Sequence, residues 1–267
     1  MPVLTNIPRR RIRSLPLNVV IPNILTLFAL CAGVSAMRFG IEERWERAVI
    51  ALLIASLLDG IDGRVARLLR GTSKFGAELD SLSDMVCFGV APAIILYRFA
   101  MQGSAGIGWA LCLGYAACMA LRLARFNTMI GDPDKPAWAV NYFTGVPAPA
   151  AAFLVLTPLT LSNEFEHGIF SNPVLVGIFL IGVSFLMVSR IPTFAFKKGR
   201  VPVRGVLPLL LMIVALAGFL VTQPWLTLGG LSLIYLGSIP LSVRAYRRRA
   251  AADLQDSLDD DDFDACV

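Results

Sequence analysis

Apolar residues in this chain come in long blocks, not at alternating positions and not at a 3.6-residue spacing. A run of about 20 apolar residues, rising roughly 1.5 Å per residue, crosses a hydrocarbon core of about 30 Å. The blocks therefore predict membrane-spanning helices, because lipid offers no hydrogen-bond partner to an open sheet edge. About eight spans are expected. Four lie in the first half, at Val19–Phe39, Trp45–Leu69, Phe75–Tyr97 and Ile107–Ala124. The other four are Tyr142–Leu161, Val174–Ser189, Gly205–Val221 and Trp225–Ser242. The first block is too long for a removable signal peptide and lacks a small-residue cleavage site, so it reads as a retained anchor. The fold class expected is an all-α integral membrane protein.

Composition agrees with the pattern. Of the 267 residues, 56% are apolar and 16% charged, against about a quarter charged in an ordinary soluble domain. The net charge of +5 does not point to nucleic acid, because the basic residues lie between apolar blocks, where anionic headgroups meet them. Of the 24 Lys and Arg residues, all but Arg38, Arg44, Arg47 and Arg98 fall on one side of the predicted topology. That side is read as cytoplasmic, and it carries both termini. Cys31, Cys87, Cys112, Cys118 and Cys266 show no CxxC pair and no metal-ligand spacing. They read as small core residues rather than disulfides or zinc ligands. The chain divides into a basic N-terminal segment (1–17), a core of six spans (18–200), two further spans (201–243), and a tail (244–267). The tail is basic and then acidic, and disorder is expected there.

The candidate chemistry lies in DGIDGRVARLLRGTSKFGAELDSLSD, from Asp59 to Asp84. Asp59 and Asp62 are three apart and Asp80 and Asp84 four apart, so each pair shares a helix face. A short turn through Arg70–Lys74 makes the two helices antiparallel neighbours and brings the four carboxylates to one site at the cytoplasmic boundary. Acids within a membrane are costly and usually mark function. They pair structurally with Arg64, Arg67, Arg70 and Arg122, or they hold hard cations such as Mg²⁺ or Mn²⁺. One or two such ions would neutralise the cluster and hold a pyrophosphate. Gly63, Ala66 and Gly76 leave room for a ligand or for close helix packing, and Arg67 offers fixed positive charge to a phosphate. Glu78 points away from the Asp80–Asp84 face. Just past the fourth span, Arg122, Arg125 and Asn127 suit a carboxylate and an amino group, although positive-inside anchoring also accounts for the arginines.

The pattern Asp59-x-x-Asp62-Gly63-x-x-Ala66-Arg67, eight residues, then Gly76-x-x-x-Asp80-x-x-x-Asp84 resembles the full signature of the CDP-alcohol phosphotransferase family. The resemblance implies that family's helical core, with Asp59, Asp62, Asp80 and Asp84 holding divalent metal and Asp84 nearest the acceptor as general base. It also implies that Gly63, Arg67 and Ser73 lie near the CDP moiety. Asn23 and Thr26, in PNILT, resemble residues that line the nucleotide pocket, with helix-entry capping as the alternative. FGAELDSLSDMVCFGVAPA, LRLARFN, FTGVPAPAAA and LMVSRIPTF resemble the membrane-embedded phosphatidylserine synthase branch. Cys87 departs from the serine common there. The activity implied is transfer of a phosphatidyl group from CDP-diacylglycerol to L-serine, in a homodimer of a bacterial inner (plasma) membrane. Other acceptors (glycerol 3-phosphate, inositol phosphate, choline) and a cation-coupled transporter stand as rivals. A phospholipase-D-like mechanism with paired HxK motifs is excluded, since the one histidine, His167, falls on the opposite side of the membrane.

Overall fold

The computed structural model describes residues 17–128, 142–165, 168–189, 191–194 and 203–264. The sequence readings that fall on His167, Cys266, Lys135, Arg190, Lys197, Lys198, Arg200 and the N-terminal arginines lie outside these residues. The described chain is nearly all helix. Helix α1 (Leu17–Ile41) and α2 (Trp45–Leu68) form a closely packed antiparallel pair. Helix α3 (Lys74–Met101) and α4 (Gly106–Thr128) follow. After a short strand β1 (Tyr142–Thr144) come α5 (Ala148–Val155), α6 (Thr157–Glu164) and α7 (Pro173–Val188). Strand β2 (Pro192–Phe194), α8 (Val203–Thr222) and α9 (Pro224–Asp264) complete the order.

Among the described residues, four helical stretches are long and apolar enough to cross a membrane: Asn18–Ile41, Lys74–Met101, Gly106–Thr128 and Pro224–Tyr246. The protein is thus a multi-pass membrane protein. The expected second span is present as α2, but its aspartates and arginines make it less apolar than a lipid-facing helix. The sixth and seventh appear as shorter apolar helices, Pro173–Val188 and Val206–Thr222.

The expected fifth span, Tyr142–Leu161, is not one helix. Its first three residues pair antiparallel with β2, Tyr142 opposite Phe194 and Thr144 opposite Pro192. Gly145 then turns the chain at φ 79°, a conformation glycine adopts without a Cβ clash. The rest is broken between α5 and α6, where Pro158 has no N–H to continue the backbone ladder. The tail also differs from expectation. Helix α9 continues through the acidic segment to Asp264, carried there by an Ala-, Arg- and Leu-rich stretch of good helix formers.

Two features of local backbone position the site. Helix α2 ends with Gly71 N–H donating to Ala66 O at 2.9 Å and Arg70 N–H to Arg67 O at 3.3 Å. This is a Schellman stop, with Arg70 left-handed at φ 51°. A Cβ on Gly71 would run into the Asn18 carbonyl, so glycine there lets the α2–α3 turn tuck against the start of α1. Within α3, Met85–Val90 forms a wide π-helical turn immediately after Asp84. Pro92 lacks the N–H that would bond the Phe88 carbonyl, and the hydroxyl of fully buried Tyr115 donates to that oxygen at 2.9 Å. One orphaned acceptor is thereby satisfied, and α4 is pinned against α3 one turn beyond Asp84.

Candidate active site

Three of the four aspartates come together in one tight group. Oxygens of Asp59, Asp62 and Asp80 all lie within 4.8 Å of one another. Asp84 is outside that set but within hydrogen-bonding reach of Asp59. Asp62 is the most enclosed, 4% exposed, and the Thr26 hydroxyl donates to its Oδ2 at 2.7 Å. Among the described residues, no Lys or Arg nitrogen lies within 4.0 Å of any of these carboxylates; the ion pairs found there join Arg38, Arg44 and Arg98 to Glu42 and Glu43. A structural ion-pair network is therefore not what this cluster is. Converging carboxylates without cationic partners are the donor set that a hard divalent cation takes.

Beside the cluster lies a cavity of about 450 Å³ between α1, α2 and α3. Asn23, Thr26, Gly63, Ala66, Arg67, Ser73 and Gly76, the expected nucleotide-side residues, all line it, together with Asp62 and Asp80. Gly63 has no atom within 4 Å of where a Cβ would project. Its smallness is not needed for packing within the protein; it keeps the cavity open. Gly76 is different, since a Cβ there would lie 2.9 Å from Asn23 Oδ1, so this glycine serves helix approach as well. Gly63→Val should leave thermal unfolding within about 1 °C of wild type while weakening CDP-lipid binding by tenfold or more, because the added branch fills only ligand space. Equal losses of stability and binding would contradict that assignment.

Some side chains have roles the sequence did not reveal. Asn23 and Thr26 sit well inside α1, so they are not helix-entry caps. Ser73 does cap a helix: its Oγ accepts from Gly76 N–H at 3.0 Å at the start of α3, leaving its hydroxyl hydrogen free to face the cavity. Pro22, Gly71, Thr72 and Ala77 also line it. Thr72 and Gly71 were findable as the turn between the paired motifs, whereas Pro22 and Ala77 carry no distinguishing signal. Glu78 is exposed and takes no part in the lining. Cys87 packs in the core, its thiol facing the Ala29 carbonyl at 3.4 Å. Gly33 admits it, since a Cβ on Gly33 would meet its Sγ.

The three residues expected at the acceptor differ in their surroundings. Arg122 is enclosed near Asp84, and its Nε and Nη1 are buried without a hydrogen-bond partner. Arg125 Nη1 donates to the Val188 carbonyl at 2.6 Å, which ties α4 to the end of α7. Asn127 donates to Ser81 Oγ at 2.9 Å, one residue along α3 from Asp80.

The model of the CDP-alcohol phosphatidyltransferase family matches residues 19–189, and that of CDP-alcohol phosphatidyltransferase 2 matches residues 204–240. A protein of Mycobacterium leprae named CDP-diacylglycerol–serine O-phosphatidyltransferase is 38% identical over 93% of this chain and 82% of its own length. One of the same name from Helicobacter pylori (strain ATCC 700392 / 26695) is 34% identical over 83% of this chain and 92% of its own. The archaetidylserine synthase of Methanothermobacter thermautotrophicus is 33% identical over 65% and 69%.

Proposed function

The chain belongs to the CDP-alcohol phosphatidyltransferase family, and from that premise we propose that it transfers the phosphatidyl group of CDP-diacylglycerol to the hydroxyl of L-serine, giving phosphatidylserine and CMP. The observation that carries the reading is the carboxylate cluster without cationic partners, opening onto a cavity lined by the motif's small residues and Arg67. The names of the relatives, which share serine, favour this acceptor.

Asp59, Asp62 and Asp80, with Asp84 beside them, would hold Mg²⁺ or Mn²⁺, one or two ions in all. A divalent cation bound there supplies positive charge to the pyrophosphate oxygens. The protein's own groups do the rest. Arg67 faces the phosphate side of the cavity, and the open space at Gly63 admits the nucleotide. Arg122 orients the serine carboxylate. Asp84 accepts the proton as the serine oxygen forms its bond to the phosphatidyl phosphorus, and the bond from that phosphorus to the bridging oxygen breaks to release CMP. In this reading the core of residues 18–200 carries the chemistry, the two helices after it are additions, and eight spans cross the membrane. The setting is a bacterial inner membrane with the aspartates and both termini cytoplasmic, and the unit is a homodimer on the strength of the family resemblance.

Purified protein offered CDP-diacylglycerol with serine, glycerol 3-phosphate, inositol phosphate or choline tests the acceptor. Serine alone should sustain CMP release, and chelation of divalent cations should abolish it. Turnover with another alcohol would move the assignment within the family, and cation flux without CMP release would point to a transporter. Orientation is tested separately: a single cysteine at Thr72 should label only from the cytoplasmic face and one at Glu164 only from the opposite face.

A further inference from the structure

At the membrane interface away from the aspartates lies a second, unassigned cavity. It measures about 610 Å³ and is lined by Arg44, Trp45, Glu46, Arg47, Asn163 and Trp225. Trp45 and Asp62 are separated along α2 by about 26 Å of helix rise, so this cavity belongs to the other leaflet. It holds two of the four arginines that lie opposite the basic side of the chain. Arg38, Arg44 and Arg98 pair with Glu42 and Glu43, whereas Arg47 has no carboxylate within 4.0 Å among the described residues. Arg44 and Arg47 against Glu46 leave the lining one positive charge in excess. Trp45 and Trp225 are the side chains that settle at headgroup depth.

Deeper in the same helices is an apolar slot of about 250 Å³, lined among others by Leu53, Phe153, Leu216, Leu220, Leu228 and Leu231. Leu53 lies about 12 Å along α2 from Trp45, and Leu231 about 9 Å along α9 from Trp225. A basic pocket at headgroup depth above an apolar slot matches one molecule with a phosphate at the top and a hydrocarbon chain below. The slot also lies where α8 meets the body of the protein. Every residue of α8 from Val206 to Phe219 is exposed, Leu216 at the slot included, so this helix has little protein contact of its own.

We propose that these two cavities form a single site for an anionic glycerophospholipid of the leaflet opposite the aspartates, its phosphate held by Arg44, Arg47 and Asn163 and one acyl chain bridging α8 to α2 and α5. The site is separate from the substrate groove, and its occupant is a fixed lipid that docks the α8–α9 hairpin.

The test is thermal unfolding of the full, delipidated chain in detergent, titrated with dioleoyl-phosphatidylglycerol or with inorganic phosphate. Wild type should be stabilised saturably by the lipid and not by inorganic phosphate. The doubly substituted Arg44→Gln, Arg47→Gln protein should need about tenfold more lipid or beyond for half the effect, as expected for lost charge-assisted bonds. Leu216→Trp, which fills the slot without changing charge, should lose the response too, and it decides the matter if the double variant does not fold. Asp59→Ala should respond as wild type does. The proposal is overturned if wild type shows no lipid response, if inorganic phosphate reproduces it, if Leu216→Trp responds unchanged, or if Asp59→Ala loses it.

Discussion

Replacing Asp84 by asparagine will leave CDP-diacylglycerol binding in place and lower kcat by about 10²–10⁴, the range spanned by a positioned general base. The substitution keeps the side chain's shape and one oxygen while removing the basic carboxylate. Asp84 is the aspartate outside the tight group of Asp59, Asp62 and Asp80, and it feels the charge of the enclosed Arg122. In the proposed mechanism it stands on the acceptor side, whereas Asp59 belongs to the metal-holding group. Asp59→Ala should instead weaken metal-dependent substrate binding, with partial recovery at higher metal concentration. Because the carboxylates share one site, their titrations are coupled and a pH–rate profile cannot assign the base. Substrate binding and single-turnover rate measured on both variants separate the roles. A near wild-type transfer rate in Asp84→Asn would remove Asp84 as the base.

The second large effect is expected at Arg122. Its Nε and Nη1 are buried without a partner, and leaving such donors unpaired is costly unless a ligand meets them. Arg122→Ala should raise the serine KM by about 10- to 100-fold, the equivalent of one charge-assisted hydrogen bond of roughly 1.5–3 kcal/mol. The same variant should discriminate less between serine and ethanolamine, which lacks the carboxylate, and Arg122→Lys should recover part of the loss. Arg125→Ala should do less to the serine KM, because that guanidinium is already bonded to the Val188 carbonyl, and should lower stability instead. If Arg125→Ala raises the serine KM more than Arg122→Ala does, the two roles are reversed.

The sequence made the chemistry legible because carboxylates at helical spacing in an apolar run have few structural explanations, and Asp59, Asp62 and Asp80 do converge. The first four helices were legible from long apolar blocks whose aspartates cluster toward one end of α2 and α3, and they end close to where Schellman turns and Ser73 place their boundaries. The break in the Tyr142–Leu161 block was less so. Gly145, Pro147 and Pro158 carry the signal, but the apolar run around them outweighs it. The strand pair depends on residues about fifty positions further on. Tertiary contacts were beyond reach in the same way: nothing local to Arg125 reveals a carbonyl at Val188, and nothing local to Thr26 reveals Asp62 as its partner. The second cavity escaped notice because Arg44 and Arg47 look like exceptions to a charge bias until Asn163 and Trp225 are brought beside them.

The central claim, that the serine hydroxyl attacks the phosphatidyl phosphorus in this protein's aspartate site, is tested most directly by following an oxygen atom. Purified enzyme is given CDP-diacylglycerol, a divalent cation and serine labelled with heavy oxygen in its hydroxyl, and both products are weighed by mass spectrometry. The account predicts phosphatidylserine that carries the label and CMP that does not, with both products absent for the Asp59→Ala, Asp84→Asn double variant. Unlabelled lipid product, phosphatidate in place of phosphatidylserine, or undiminished labelled product from the double variant would contradict it.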